Sequence, residues 1–205
     1  MSLTLRAVLL MFCLAVCAQA QTRTLALYVG HARGLDYDAN LMMRAELQRL
    51  LAPAGLEVVW KNSVDHQTGD NFELVAVGSF EGSCSVAEPV LTPVSVVQTV
   101  ASLADTSISD GHILPFFHID CTRLVRMLGS GLDKSLLGRA LARVIAHELY
   151  HIVAATADHS DTGVAKATFS LHDLVTPRFD FDMLSVAQMK PVSVAWTTDY
   201  EASGR

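Results

Sequence analysis

The chain has 205 residues, 51% of them hydrophobic and 18% charged, with a formal net charge of −6. That length supports one well-buried domain, and charge this sparse argues against wholesale disorder. An acidic balance without any dense block of Lys or Arg also argues against a nucleic-acid partner, which needs a basic footprint.

Residues 1–20 read as a secretory signal peptide. Arg6 supplies the positive start, residues 7–16 (AVLLMFCLAV) form an apolar run, and Ala18-Gln19-Ala20 carries small residues where a signal peptidase cuts. The run is too short to span a bilayer comfortably, so no stable membrane insertion is expected after cleavage at Ala20. The bulky Val16 before Cys17 disfavours lipid attachment there. The expected location is secreted or periplasmic, and residues 21–205 are expected to form the working domain. Without residues 1–20 the chain has 14 basic residues (15 less Arg6) against 21 acidic ones, a formal charge of −7. Cys13 and Cys17 leave with that segment, so Cys84 and Cys121 remain. In an exported protein such a pair is expected to form a disulfide, with two buried free thiols as the alternative. Their wide separation makes them poor zinc ligands.

In the remaining chain, residues 24–30 (TLALYVG) read as a strand closed by glycine. Asp38 or Asn40 is expected to cap a helix whose apolar residues fall on one broad face, and Pro53-Ala54-Gly55 stops it. Residues 56–61 (LEVVWK) and 72–80 (FELVAVGSF) read as the second and third strands, with Trp60 a core candidate. Between residues 82 and 110 the pattern suggests loops around one strand at 94–100. Residues 111–119 (GHILPFFHI) read as another strand, placed at a sheet edge because Pro115 cannot donate to a ladder. Asp120 or Thr122 caps a short helix ending near residues 129–131. A long apolar helix without proline follows, from about residue 134 to 155. Ser170-Leu171-His172-Asp173 looks like a helix start, residues 183–189 suggest one more helix, and the polar tail from 197 is expected to be loose. Strands, a crossing helix, more strands and then helices make a single α+β or α/β layered domain.

The long helix carries His147-Glu148-Leu149-Tyr150-His151. Two histidines four apart stand on one face, so both imidazoles can reach one Zn²⁺. Glu148, about 100° further round the axis, can sit beside the metal without ligating it, where a base must be to take a proton from an attacking water. Chance alone would produce this spacing in roughly one such chain in a hundred, and the helical context lowers that further. A catalytic zinc usually has three protein ligands. Glu201 is the only later glutamate and lies in the polar tail, whereas His159 follows His147 by twelve residues. A continuing helix would carry His159 about 18 Å along the axis. The chain must therefore leave the helix near residues 155–157 and fold back, which the small residues there permit. His172 is the reserve ligand. His31, His66, His112 and His118 lack ligand-like spacing.

The run VIAHELYHIVAATADHSDTGVAKATFSLHDL resembles the active-site segment of a group of exported bacterial zincin-like proteins. Their pattern is HExxH, seven residues, His, a small residue, then Gly and a Met-bearing segment. The resemblance covers roughly residues 24–61 and 136–175. It implies a zincin-like single domain in which a mixed twisted sheet packs on helices, with the active-site helix central. It also implies that His147, His151 and His159 are the zinc ligands and Glu148 the catalytic base. The group is similar in layout to metzincin peptidases, from which this chain departs. Ala157 stands where their third ligand would fall, Ala154 replaces their turn glycine, and Val164-Ala165 replaces the methionine after Gly163. Met183 is the remaining candidate for that methionine.

The expected activity is hydrolysis of peptide bonds in a peptide or protein substrate, with Tyr150 and Tyr200 as candidates for an oxyanion donor. Amide hydrolysis on a non-peptide substrate would share this site. The alternative from another class is a zinc-stabilised binding protein of the same fold, catalytically weak or inactive.

Overall fold

The computed structural model describes residues 22–62, 72–85, 102–129, 131 and 133–191. The expected signal segment, the expected strand at 94–100, His66, Tyr200, Glu201 and the polar tail lie outside these residues.

Five strands form one mixed sheet: β1 (Arg23–Val29), β2 (Leu56–Asn62), β3 (Leu74–Glu81), β4 (Ala104–Ser109) and β5 (His112–Asp120). Their order across the sheet is β2-β1-β3-β5-β4, with β4 alone antiparallel to its neighbour. Among the described residues five helices accompany them: α1 (Tyr37–Leu51), α2 (Cys121–Leu128), α3 (Lys134–Ala154), α4 (Leu171–Val175) and α5 (Met183–Met189). The class is α+β.

Two strand assignments change. β4 (ADTSIS) is too polar to announce itself by apolar alternation, and among the described residues it forms the sheet's terminal strand. β5 is therefore an interior strand, not an edge. Pro115 is tolerated there because pairing with β3 begins only at Phe116, and because the β4–β5 register slips at that level. Thr106 pairs with Phe117 but Ile108 with Ile113, so residues 114–116 of β5 stand opposite Ser107 alone. A proline falls where no ladder bond is needed.

The helices start where short polar side chains meet orphan amides. Asp36, rather than Asp38 or Asn40, caps α1 by accepting from Asp38 N, and Asp120 caps α2 by accepting from Arg123 N. Asp133 caps α3, and Ser170 with Asp173 forms a reciprocal capping box on α4. The expected helix stop is present as a 3₁₀ turn at Ala52–Ala54 ending on left-handed Gly55.

Helices α1 and α3 pack against each other, α1 also on β2 and α3 on β3, β4 and β5. Gly138 permits the close crossing: a Cβ there would lie 2.2 Å from the Ala39 carbonyl oxygen on α1. Nearly every α3 residue from Leu137 to His151 is buried, as befits a helix enclosed on all sides. Trp60 is half-buried at the margin of this core, with the Arg44 guanidinium over its ring.

Among the described residues one charged side chain is fully enclosed. Arg143 is 0% exposed, one turn before His147, and binds the Glu46 carboxylate of α1 through Nε and Nη2. Its remaining donors reach the carbonyl oxygens of Asp173 and Thr176, at 2.6 and 2.7 Å. The pair thus ties α1, α3 and α4 together, satisfying a buried charge by pairing it.

The expected Cys84–Cys121 disulfide is present, with Cα atoms 4.8 Å apart, joining the end of β3 to the start of α2. Such bonds persist in oxidising compartments, which fits an extracellular or periplasmic setting. Among the described residues no helix is long and apolar enough to cross a membrane.

Candidate metal centre

Helix α3 presents His147 and His151 one turn apart, both buried, with ring centroids 4.7 Å apart. The helix ends at Ala154, and Ala155 takes a left-handed conformation at φ 49° that favours glycine. The turn therefore falls one residue beyond Ala154. The chain then reverses, as the position of His159 requires. Ser160 bridges to Lys166 and its amide donates to the Ala165 carbonyl, closing a small loop. The Ser160 hydroxyl is anchored on Asp182, which also caps α5. Gly163 lies so close to the following segment that a Cβ would meet the Asp180 carbonyl oxygen at 2.5 Å.

This return brings His159 onto the other two imidazoles. Its ring stacks on His147 at 5.2 Å between centroids and meets His151 edge-on at 4.8 Å. One candidate ligand atom from each of His147, His151 and His159 lies within 4.8 Å of the others, and these form the only such metal-capable group among the described residues. His172 is exposed on α4 and outside the group, as are His31, His112 and His118.

The tautomers can be read from the second contacts. His147 Nδ1 lies 2.9 Å from the Val164 carbonyl oxygen, and His151 Nδ1 lies 2.7 Å from that of Thr156. A carbonyl only accepts, so both Nδ1 atoms carry the proton in the neutral rings and both Nε2 atoms are left as lone pairs. Those Nε2 atoms face each other at 3.1 Å. Two lone pairs so close repel unless a cation lies between them. Two nitrogens each roughly 2.0–2.1 Å from a tetrahedral ion would stand about 3.4 Å apart, close to the spacing found. The three histidines could therefore hold one metal ion. Burial pushes His147 down to about 4; the carbonyl contact opposes this and the neighbouring histidines add to it. Burial lowers His151 too, despite its contact with Thr156. His147 and His151 are thus neutral at neutral pH.

No family model and no curated protein matches this chain.

Glu148 is 4% exposed and lines the same cleft, which measures about 260 Å³. Burial pushes its carboxyl up to about 7, opposed by a hydrogen bond from Thr106 and reinforced by the Asp105 charge. Thr106 Oγ1 donates to Glu148 Oε2 at 2.6 Å. The cleft is also lined by Thr106, Ile108 and Ile113 from β4 and β5, and by Ala157 and Ala167.

Two expectations fail. Met183 is 87% exposed at the start of α5, so it lies under nothing. Phe169 instead meets His147 edge-on at 5.6 Å, and the buried Val164 supplies the carbonyl that orients that ring. Tyr150 is 2% exposed, donates to Gln188 Oε1 at 2.6 Å and does not line the cleft, so it offers no oxyanion contact. Sequence reasoning missed Thr106, Phe169 and the carbonyls of Thr156 and Val164. A polar strand hides the first, and backbone groups leave no mark in residue identity.

Proposed function

We propose that this chain is an exported, zinc-dependent peptidase with a zincin-like fold, in which His147, His151 and His159 hold the metal and Glu148 is the general base. The observation that carries this reading is the pair of carbonyl-locked imidazoles whose lone pairs converge beside a buried carboxylate. Three neutral nitrogen donors are the ligand set of many catalytic zinc sites. A zinc ion supplies Lewis acidity there, acidifying water and polarising a substrate carbonyl.

The protein's own part is proton transfer and alignment. Glu148, raised to about 7, can both accept and return a proton near neutral pH, as a general base that later serves as acid requires. It takes the proton of the attacking water and delivers it to the leaving amine. Peptide is favoured as substrate because β4, the terminal strand among the described residues, lines the cleft. An extended chain can lie along such a strand and form main-chain hydrogen bonds. Export rests on the signal-like residues 1–20 and fits the Cys84–Cys121 disulfide.

The test is a peptide-cleavage assay on zinc-loaded protein, wild type against Glu148→Gln. The variant should keep one equivalent of zinc and lose cleavage; cleavage that survives removes the assigned base. The exposure of Met183, the candidate methionine for the place beneath the metal, favours a second reading, a zinc-stabilised binding protein of the same fold. In that case the wild type binds zinc and cleaves nothing in a broad peptide library.

A further inference from the structure

The peptidase reading leaves open how a buried carboxylate is held at one angle. We infer that Thr106 is a positioning residue, whose hydroxyl clamps Oε2 of Glu148 and leaves Oε1 as the oxygen that handles the proton. This rests on Glu148 being the base.

Three observations support the assignment. First, Thr106 Oγ1 lies 2.6 Å from Glu148 Oε2, and among the described residues no other group donates to that side chain. A glutamate side chain ends in a broad, poorly defined torsion, so one short contact to a single oxygen does most to fix the carboxylate plane. Second, the hydroxyl has little freedom of its own. It sits on a β-branched residue, stiff at χ1, and among the described residues reaches no acceptor other than Glu148; the Glu148 main-chain carbonyl is its second, longer contact at 3.4 Å. Third, Thr106 sits at the break in the β4–β5 ladder. Pairing is regular up to Thr106–Phe117 and resumes at Ile108–Ile113 with residues 114–116 bulged. Bulges re-aim side chains beside sites, and this one begins immediately after the residue that touches the carboxylate.

The chemistry follows from donor and acceptor roles. Thr106 keeps a hydrogen to give, so it favours the ionised form at Oε2 and directs protonation to Oε1. Thr106 and Glu148 both line the cleft, so the proton is then exchanged there at the oxygen that Thr106 does not hold. Valine in place of threonine keeps the shape and removes the donor; serine keeps the donor and loses only the methyl.

The test has one arm that needs no turnover. Crystal structures of the metal-free wild type, Thr106→Ser and Thr106→Val are compared at Glu148. The wild type and T106S should show a single carboxylate orientation with Oε2 on the hydroxyl, and T106V a rotated or split one. A T106V structure with the carboxylate unmoved overturns the inference. The second arm is steady-state cleavage by zinc-loaded protein. T106V should lose roughly ten- to hundredfold in kcat, the worth of one hydrogen bond to a charged group, at unchanged KM and zinc content. T106S should recover most of that loss. T106V with wild-type kcat, or with a change in KM alone, overturns the inference while leaving Glu148 as base. If wild type and Glu148→Gln behave alike, the peptidase reading falls, and the crystallographic arm still decides whether Thr106 orients the carboxylate.

Discussion

Replacing Glu148 by glutamine should make the metal-free protein more stable, and by an amount that depends on pH. The side chain is 4% exposed, and burial moves its carboxyl from an ordinary 4.5 up to about 7. An acid whose folded pKa is raised adds nothing to the pH dependence below its unfolded value, because both states are then protonated. Between 4.5 and 7 the unfolded chain releases the proton that the folded chain keeps, so folding is progressively penalised. Above 7 the full penalty is present. At about 1.4 kcal/mol per pH unit, and with little solvent to screen the group, that penalty is roughly 3 kcal/mol. Glutamine carries no charge and still offers Thr106 an acceptor, so it escapes the penalty. Urea unfolding of chelator-treated protein should show the variant more stable by roughly 2–3 kcal/mol at pH 8 and nearly equal at pH 4.5. In a thermal scan at pH 8 this corresponds to roughly 5–10 °C. His147, depressed to about 4, acts in the opposite sense: its contribution to stability is lost as pH falls from 6.5 towards 4. It is present in both proteins and cancels in the difference. A gain of equal size at both pH values, or a loss at pH 8, would refute the reasoning that burial strains this carboxylate.

The return of the chain to His159 predicts that His159→Ala lowers zinc affinity by roughly two orders of magnitude, whereas His172→Ala leaves it within about twofold; chelator competition measures both, and equal losses would discard the assignment. The Cys84–Cys121 bond closes a loop with a sequence separation of 37. The Cys84→Ser/Cys121→Ser double variant should therefore lose roughly 3–4 kcal/mol in urea unfolding, and a reductant should do the same to the wild type. Arg143→Ala should cost roughly 2–4 kcal/mol, because it takes the donors from two carbonyl oxygens and leaves the buried Glu46 with Arg49 as its one cation; a loss below about 1 kcal/mol in a thermal scan would contradict the pairing described. Burial pushes Glu46 up, but Arg49 and Arg143 outweigh it and hold the carboxyl below its ordinary value. Its contribution to stability is thus present above the usual glutamate range and lost as pH falls through the lowered one, a component of acid unfolding that Glu46→Gln should remove.

What could be read from the chain alone was what repeats locally. The helical period puts His147 and His151 on one face wherever that helix lies, and the run from 134 onward is apolar and free of proline. Capping residues precede α2, α3, α4 and α5, and two cysteines remain once residues 1–20 are set aside. Even the need for a reversal before His159 follows from the rise of a helix. Tertiary structure decided the rest. It made β5 an interior strand despite Pro115, by slipping the ladder where the proline falls. It turned the polar β4 into the wall that brings Thr106 to Glu148, and it left Met183 in solvent while Phe169 took the place beside His147. The difference has one physical origin. Spacing along an element is set by backbone geometry that every residue shares, whereas the carbonyls of Thr156 and Val164 that lock the two imidazoles come from loops, and a carbonyl is present at every position whatever its side chain.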